Sequence, residues 1–135
     1  MGYYMDQRGS EFKVKAKNVE ALREALADHT ACQRHISWVS KSVVLDAYYA
    51  DDIRGMFQEW RWEITIDDDG NITAIEFIGE KLGDDADMFE AIGPHVEAGS
   101  YIEMSGEDSD RWRWVFTGTA VETVQGRVVW EDQDA

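Results

Sequence analysis

The sequence contains one cysteine, one proline and no long hydrophobic run, and each shortage excludes a class of protein. Cys32 alone cannot form an intramolecular disulfide, which excludes a disulfide-stapled secreted scaffold and favours a reducing compartment. Pro94 is the only proline, and no proline-, glycine- or serine-rich linker divides the chain. No apolar run approaches the roughly 18 residues of a membrane-spanning helix, and the first residues lack the basic and apolar regions of a signal peptide. We therefore expect a cytoplasmic protein.

Basic residues are also scarce, and the shortage is concentrated in one stretch. The chain carries 13 Lys and Arg against 28 Asp and Glu, a formal net charge of −15. Residues 46–110 alone hold 19 carboxylates and three basic residues, whereas the flanking segments are close to neutral. A field of one sign repels nucleic acid and steers cationic partners toward it. We therefore expect a basic protein partner, no direct binding of nucleic acid and no membrane binding.

Aromatic residues, in contrast, are plentiful. Six Trp, five Tyr and five Phe contribute to an apolar content of 44%, which distinguishes this chain from disordered acidic segments. A chain of this length buries roughly two-thirds of the surface that its unfolded form exposes. The composition thus predicts one folded domain spanning residues 1–135.

The pattern of apolar positions predicts an α+β fold, an antiparallel sheet of about five to seven strands with about three helices packed on one face. Strands are predicted at 3–6, 11–16, 37–47, 60–66, 72–78, 101–105, 111–116, and from 121 to 124 or 130. The helices are predicted to begin after the caps Asn18, Asp51 or Asp52, and Asp84 or Asp85, and the last to end at Gly93-Pro94.

The alternating Trp and Arg residues at 111–116 have two interpretations. Aromatic faces and guanidinium groups can together bind bases and phosphates, but the net charge disfavours that use. We expect instead that Trp112, Trp114 and Phe116 fill the core. Arg111 and Arg113 would then form cross-strand ion pairs with Glu103, Glu63 or Glu76, and any basic patch would be local, at Lys13, Lys15 and Lys17.

Acidic residues concentrate at three predicted turns or helix starts, where they should be exposed and free to contact a partner. These candidate partner-binding residues are Asp67, Asp68 and Asp69 at a hairpin tip, Asp84, Asp85 and Asp87 at a helix start, and Glu107, Asp108 and Asp110 in a turn.

Two sets of side chains suggest metal binding, and each has a simpler explanation. His29, Cys32 and His35 are of the types that zinc prefers, but they are spaced three apart without a paired Cys-x-x-Cys, and one continuous helix would turn the outer two apart. Asp67, Asp69 and Asn71 resemble part of a calcium loop, but the glycine at position 70 comes too early for an EF-hand and Ile78 stands where the bidentate Glu should be. A tight hairpin turn explains the same residues. We expect no metal and no cofactor.

Catalytic motifs are not evident. Cys32 could act as a nucleophile with a neighbouring histidine as base, but no oxyanion hole is recognisable. The acids at 84–90 could form a catalytic pair only if their environments differed, whereas we expect one solvated helix start. There is no Ser-His-Asp pattern, phosphate-binding glycine loop or dinucleotide fingerprint. An enzyme is therefore not supported.

A resemblance to small uncharacterised bacterial and phage proteins is carried by GEKLGDD at 79–85, GSYIE at 99–103, GED at 106–108 and WRWVF at 112–116. The opening Gly2-Tyr3-Tyr4-Met5 is similar too. The resemblance covers about half the chain, and it implies an α+β fold without an activity.

Two functional hypotheses follow. In the first, this is a small acidic intracellular binding protein, such as a phage-type inhibitor that imitates nucleic acid and docks on the basic, nucleic-acid-binding surface of a partner. In the second, the acidic surface only confers solubility, and the domain is a small-molecule binder or enzyme with a pocket between helices and sheet.

Overall fold

Residues 3–33, 38–127 and 129 are described by the structure, a computed structural model, and they adopt the predicted α+β fold. The strands are β1 (Tyr3–Glu11), β2 (Trp62–Ile66), β3 (Ile72–Phe77), β4 (Lys81–Leu82), β5 (Tyr101–Gly106), β6 (Arg111–Phe116) and β7 (Val121–Gln125). The helices are α1 (Ala16–Cys32), α2 (Lys41–Tyr49), α3 (Ile53–Glu59) and α4 (Asp85–Ile92), the last continued by a 3₁₀ turn (Gly93–His95).

The strands form two antiparallel sheets. Five strands pair in the order β4-β1-β5-β6-β7, and β2 and β3 form a separate hairpin. The two sheets meet at β1, where the Gln7 side-chain nitrogen donates to the carbonyl of Ile75 at 3.0 Å and its oxygen accepts from the Phe77 N–H at 2.7 Å. Within the described ranges, no helix combines the length and the apolar character needed to cross a membrane.

The strand predicted at 37–47 is wrong, because residues 41–49 form helix α2. Valine-rich sequence favours strands, but this preference is weak and tertiary packing overrides it. The Ser40 hydroxyl accepts a hydrogen bond from the Val43 N–H at 3.3 Å and so caps the helix. Val44 is fully buried, and Tyr48 lies four residues later on the same helical face.

The start of α1 also differs from the prediction. Asn18 is not the cap, because the helix already begins at Ala16. The cap is supplied by the hairpin, where the side-chain oxygen of Asn71 accepts a hydrogen bond from the Ala16 N–H at 2.8 Å. Residues 12–15 leave β1 as an irregular segment in which Val14 forms an isolated bridge with Ile72.

Other expectations are confirmed. Asp52 caps α3 through a hydrogen bond from the Gly55 N–H at 3.0 Å, and Gly70 takes the positive φ of 89° that the hairpin turn needs. Arg113 and Arg111 pair with Glu103 at 2.8 and 3.3 Å across the outer sheet face. The core is rich in aromatic side chains, with Phe12, Phe57, Trp60, Trp62, Phe89, Trp112, Trp114 and Phe116 all buried.

Candidate functional site

The nine predicted acidic residues lie in two separate places. The hairpin tip, residues 67–69, adjoins Asn71, which caps Ala16 at the N-terminal end of α1. Asp67 also shares the lining of a cavity of about 600 Å³ with three lysines. These are the residues expected to form a local basic patch, Lys13, Lys15 and Lys17. The lysines reduce the negative field around the hairpin tip.

The start of α4 lies at the opposite end of α1. Burial lowers the pKa of His29, near the C-terminal end of α1, and the negative charges of Asp87 and Asp84 oppose that shift. From Ala16 to His29 an α-helix rises about 20 Å. The hairpin tip and the α4 start are therefore separate surfaces.

The turn that carries Glu107, Asp108 and Asp110 lies near the α4 start. Tyr3 pairs with Leu82 in β4, which directly precedes α4. The Tyr3 hydroxyl donates a hydrogen bond to the Asp110 carboxylate and accepts one from the Asp108 N–H at 3.2 Å. Strand β1 thus joins two acidic segments that are about 20 residues apart in sequence. We call Asp84, Asp87, Glu107, Asp108 and Asp110 the acidic end.

Asp85 does not belong to this surface, and its predicted exposure is wrong. Only 1% of the residue is exposed. Its carboxylate accepts hydrogen bonds from the Trp62 indole N–H at 2.8 Å and the Gly83 N–H at 2.9 Å. Burial raises the pKa of Asp85, although both hydrogen bonds oppose the shift. The reason lies in the helical phase, since Asp85 shares the buried face of α4 with Met88 and Phe89.

Some carboxylates of the acidic end accept hydrogen bonds from the described residues, and others do not. The Glu107 carboxylate accepts from the Tyr4 N–H at 2.7 Å, and the hydrogen bond to Asp110 raises the pKa of Tyr3. Among the described residues, only four acids lie within ion-pairing distance of a basic side chain, and none belongs to the acidic end. Those four are Glu20, Asp51, Glu97 and Glu103. No described basic side chain therefore forms an ion pair with the acidic end.

The hairpin tip is explained by turn geometry rather than by a calcium site. The Asp67 carboxylate accepts hydrogen bonds from the Asp69 N–H at 2.9 Å and from both the backbone and side-chain nitrogens of Asn71 at 2.9 and 3.1 Å. These hydrogen bonds lower the pKa of Asp67. Asp68 and Asp69 are exposed at the tip.

The candidate zinc ligands are not brought together as a site in the part of the chain that the structure describes. No three His, Cys, Asp or Glu side chains there are arranged to hold a metal ion. The half-buried ring of His29 lies 5.6 Å from the ring of Trp60, and Cys32 is exposed. His35 lies outside the described residues.

A small crevice, which the sequence did not suggest, opens beside the acidic end. It has a volume of about 230 Å³ and lies between the start of α4 and the inner face of β6 and β7. Leu82, 37% exposed, lines it, and Tyr4, 50% exposed, lies nearby on β1. The residues that line the crevice are Tyr3, Leu82, Ala86, Asp110, Trp112, Trp114, Thr123 and Gln125. Its lining residues come from β1, β4, α4, β6, β7 and the turn before β6, so no local pattern in the sequence indicates it.

Comparison with known proteins finds no match to this chain among family models, curated proteins or solved structures. The resemblance to small bacterial and phage proteins stays a prediction.

Proposed function

We propose that this chain is a small acidic cytoplasmic protein that docks through its acidic end on the basic, nucleic-acid-binding surface of a partner protein, as a phage-type inhibitor would. The observation that carries the proposal is the convergence of two acidic segments at one end of the fold. Residues 84–87 and 107–110 are held together through Tyr3, which pairs with β4 and hydrogen-bonds to Asp110.

Charge complementarity would allow this arrangement of acids to bind a basic partner. Like charges placed close together repel one another and cost stability, so a cluster without described ion pairs is not explained by folding. Such a cluster raises the rate of encounter with a basic partner and rejects partners of the same sign. The partly exposed side chain of Leu82 adds apolar surface next to these acids, and interfaces typically combine an apolar centre with a polar rim.

The test compares two double variants that change the net charge equally. Asp87→Lys with Asp108→Lys reverses the acidic end, and Asp68→Lys with Asp69→Lys reverses the hairpin tip. None of these four carboxylates accepts a hydrogen bond from another described residue. Each protein would be immobilised and exposed to lysate of the organism that encodes it, at low and at high salt, and the retained proteins identified.

We expect the wild type to retain basic proteins at low salt and to release them at high salt. The hairpin-tip variant should retain the same proteins at low salt, and the acidic-end variant should not. Screening lengths shrink severalfold between about 50 and 500 mM salt, which is why release is expected. Equal retention by both variants would contradict the proposal, and so would retention that is indifferent to salt.

A further inference from the structure

The crevice beside the acidic end combines aromatic rings with a carboxylate. Tyr3, Trp112 and Trp114 supply the rings, and Asp110 supplies the carboxylate. The described residues that line the crevice include no basic side chain. A cation that entered would therefore meet the Tyr3 ring, the small exposed parts of Trp112 and Trp114, and an opposite charge.

The same combination binds an arginine elsewhere in the molecule. The guanidinium of Arg113 lies 4.7 Å from the ring centre of Tyr101 and pairs with Glu103 at 2.8 Å. The guanidinium of Arg23 lies 4.4 Å from the ring centre of Tyr48 and pairs with Asp51 at 3.4 Å. An aromatic ring with a nearby carboxylate thus binds an arginine at two places in this fold. In the crevice the same pair of groups has no arginine among the described lining residues.

We propose that the crevice receives the side chain of one arginine from the basic partner, with the aliphatic stem against Leu82 and Ala86 and the guanidinium against Asp110 and the aromatic rings. This inference rests on the proposed function, since it names the residue type by which the acidic end would hold its partner. The acidic end would attract the partner, and the crevice would fix its position.

Size and chemistry favour an arginine over other occupants. Sites for cofactors and drug-sized ligands usually have volumes of about 300–1,000 Å³, and the crevice, at about 230 Å³, suits a single long side chain. Arginine is preferred to lysine because its planar guanidinium stacks on aromatic rings and forms two parallel hydrogen bonds with a carboxylate. Arginine is also one of the residue types enriched at interface hot spots, which lie in well-packed pockets.

The test uses two synthetic nonapeptides, one alternating arginine with serine and the other alternating lysine with serine. Their affinities would be measured by calorimetry, and the indole N–H resonances by NMR. Ala86 is exposed and lines the crevice, so Ala86→Phe fills it, and Ala86→Leu is the milder alternative if the first variant fails to fold. Ala21→Phe, at an exposed alanine of α1, is the matched control.

We expect the arginine peptide to bind the wild type about tenfold more tightly than the lysine peptide, given the strength of a desolvated cation–π contact. Its binding should shift the indole resonances of Trp112 or Trp114. Ala86→Phe should abolish the preference for arginine, and Ala21→Phe should leave it intact.

Two results would overturn the inference. One is equal affinity for the two peptides, and the other is a preference for arginine that survives when the crevice is filled. A different result would contradict the proposed function. Reversal of Asp87 and Asp108 to Lys should weaken both peptides alike, and if it weakens neither, the acidic end itself does not bind basic partners.

Discussion

The buried carboxylate of Asp85 offers the most quantitative test of the structure. Asp85→Ala removes the acceptor of two hydrogen bonds, from the Trp62 indole at 2.8 Å and the Gly83 N–H at 2.9 Å. A buried donor that loses its acceptor costs about 1–3 kcal/mol. The Trp62 side chain is fully buried, and the Gly83 amide is part-buried. We therefore expect Asp85→Ala to lower the free energy of unfolding by about 2–4 kcal/mol at pH 6, measured by urea denaturation.

The effect of Asp85→Ala on stability should depend on pH in a direction that follows from the pKa shift of Asp85. Because burial raises the pKa of Asp85 in the folded state, its contribution to stability is fully present below the unfolded pKa, about 3.9, and is lost as the pH rises through the folded pKa. The difference in unfolding free energy between wild type and Asp85→Ala should therefore be largest in acid and shrink as the pH rises above about 4. Asp87→Ala, at an exposed position two residues later, is the control and should cost less than about 1 kcal/mol.

The reasoning would be refuted if Asp85→Ala were no more destabilising than Asp87→Ala, or if the wild-type advantage grew with pH. A related variant, Asp85→Lys, should not fold, because it would place a cation among buried apolar side chains.

Three further predictions concern other parts of the fold. Gly83→Ala would place a methyl group in the indole ring of Trp38, and overpacking should cost about 1–3 kcal/mol; an unchanged melting temperature would show that the two do not touch. Asp67→Asn should lower the melting temperature at pH 7, because hydrogen bonds to the Asp67 carboxylate, above all those from Asn71, depress its pKa. The stability that these hydrogen bonds give is present above about pH 4 and is lost as the pH falls. Equal melting curves for the two proteins at pH 7 would contradict this. Cys32→Ser and EDTA should leave both melting and partner binding unchanged, and a loss in EDTA would restore the metal-ligand hypothesis.

Local patterns were sufficient to predict much of the fold. The alternation at 111–116 matches β6 residue for residue, and the hairpin of β2 and β3 follows from alternation on both sides of Gly70. The helical spacing of Leu22 and Leu26 likewise identifies α1, and both side chains are buried. Each of these signals lies within a few residues in the sequence.

What the sequence could not predict depends on contacts between distant residues. Helix α2 is valine-rich and becomes a helix through its Ser40 cap and its packing on α1 and α3. The spacing of Asp85 before Met88 and Phe89 was a usable signal of burial, but its partner Trp62 lies 23 residues away. The acidic end exists because β1 pairs with β4 and binds the turn before β6, and neither contact has a local signature.

The association rate of this protein with a captured partner, measured by stopped flow between about 50 and 500 mM salt, tests the central claim most directly. The wild type and the hairpin-tip variant with Asp68→Lys and Asp69→Lys should associate rapidly at low salt and much more slowly at high salt. The variant with Asp87→Lys and Asp108→Lys should associate slowly at every salt concentration, because charges at the edge of an interface act mainly on encounter rates. If all three proteins show the same rates and the same salt dependence, the acidic end is not a docking surface.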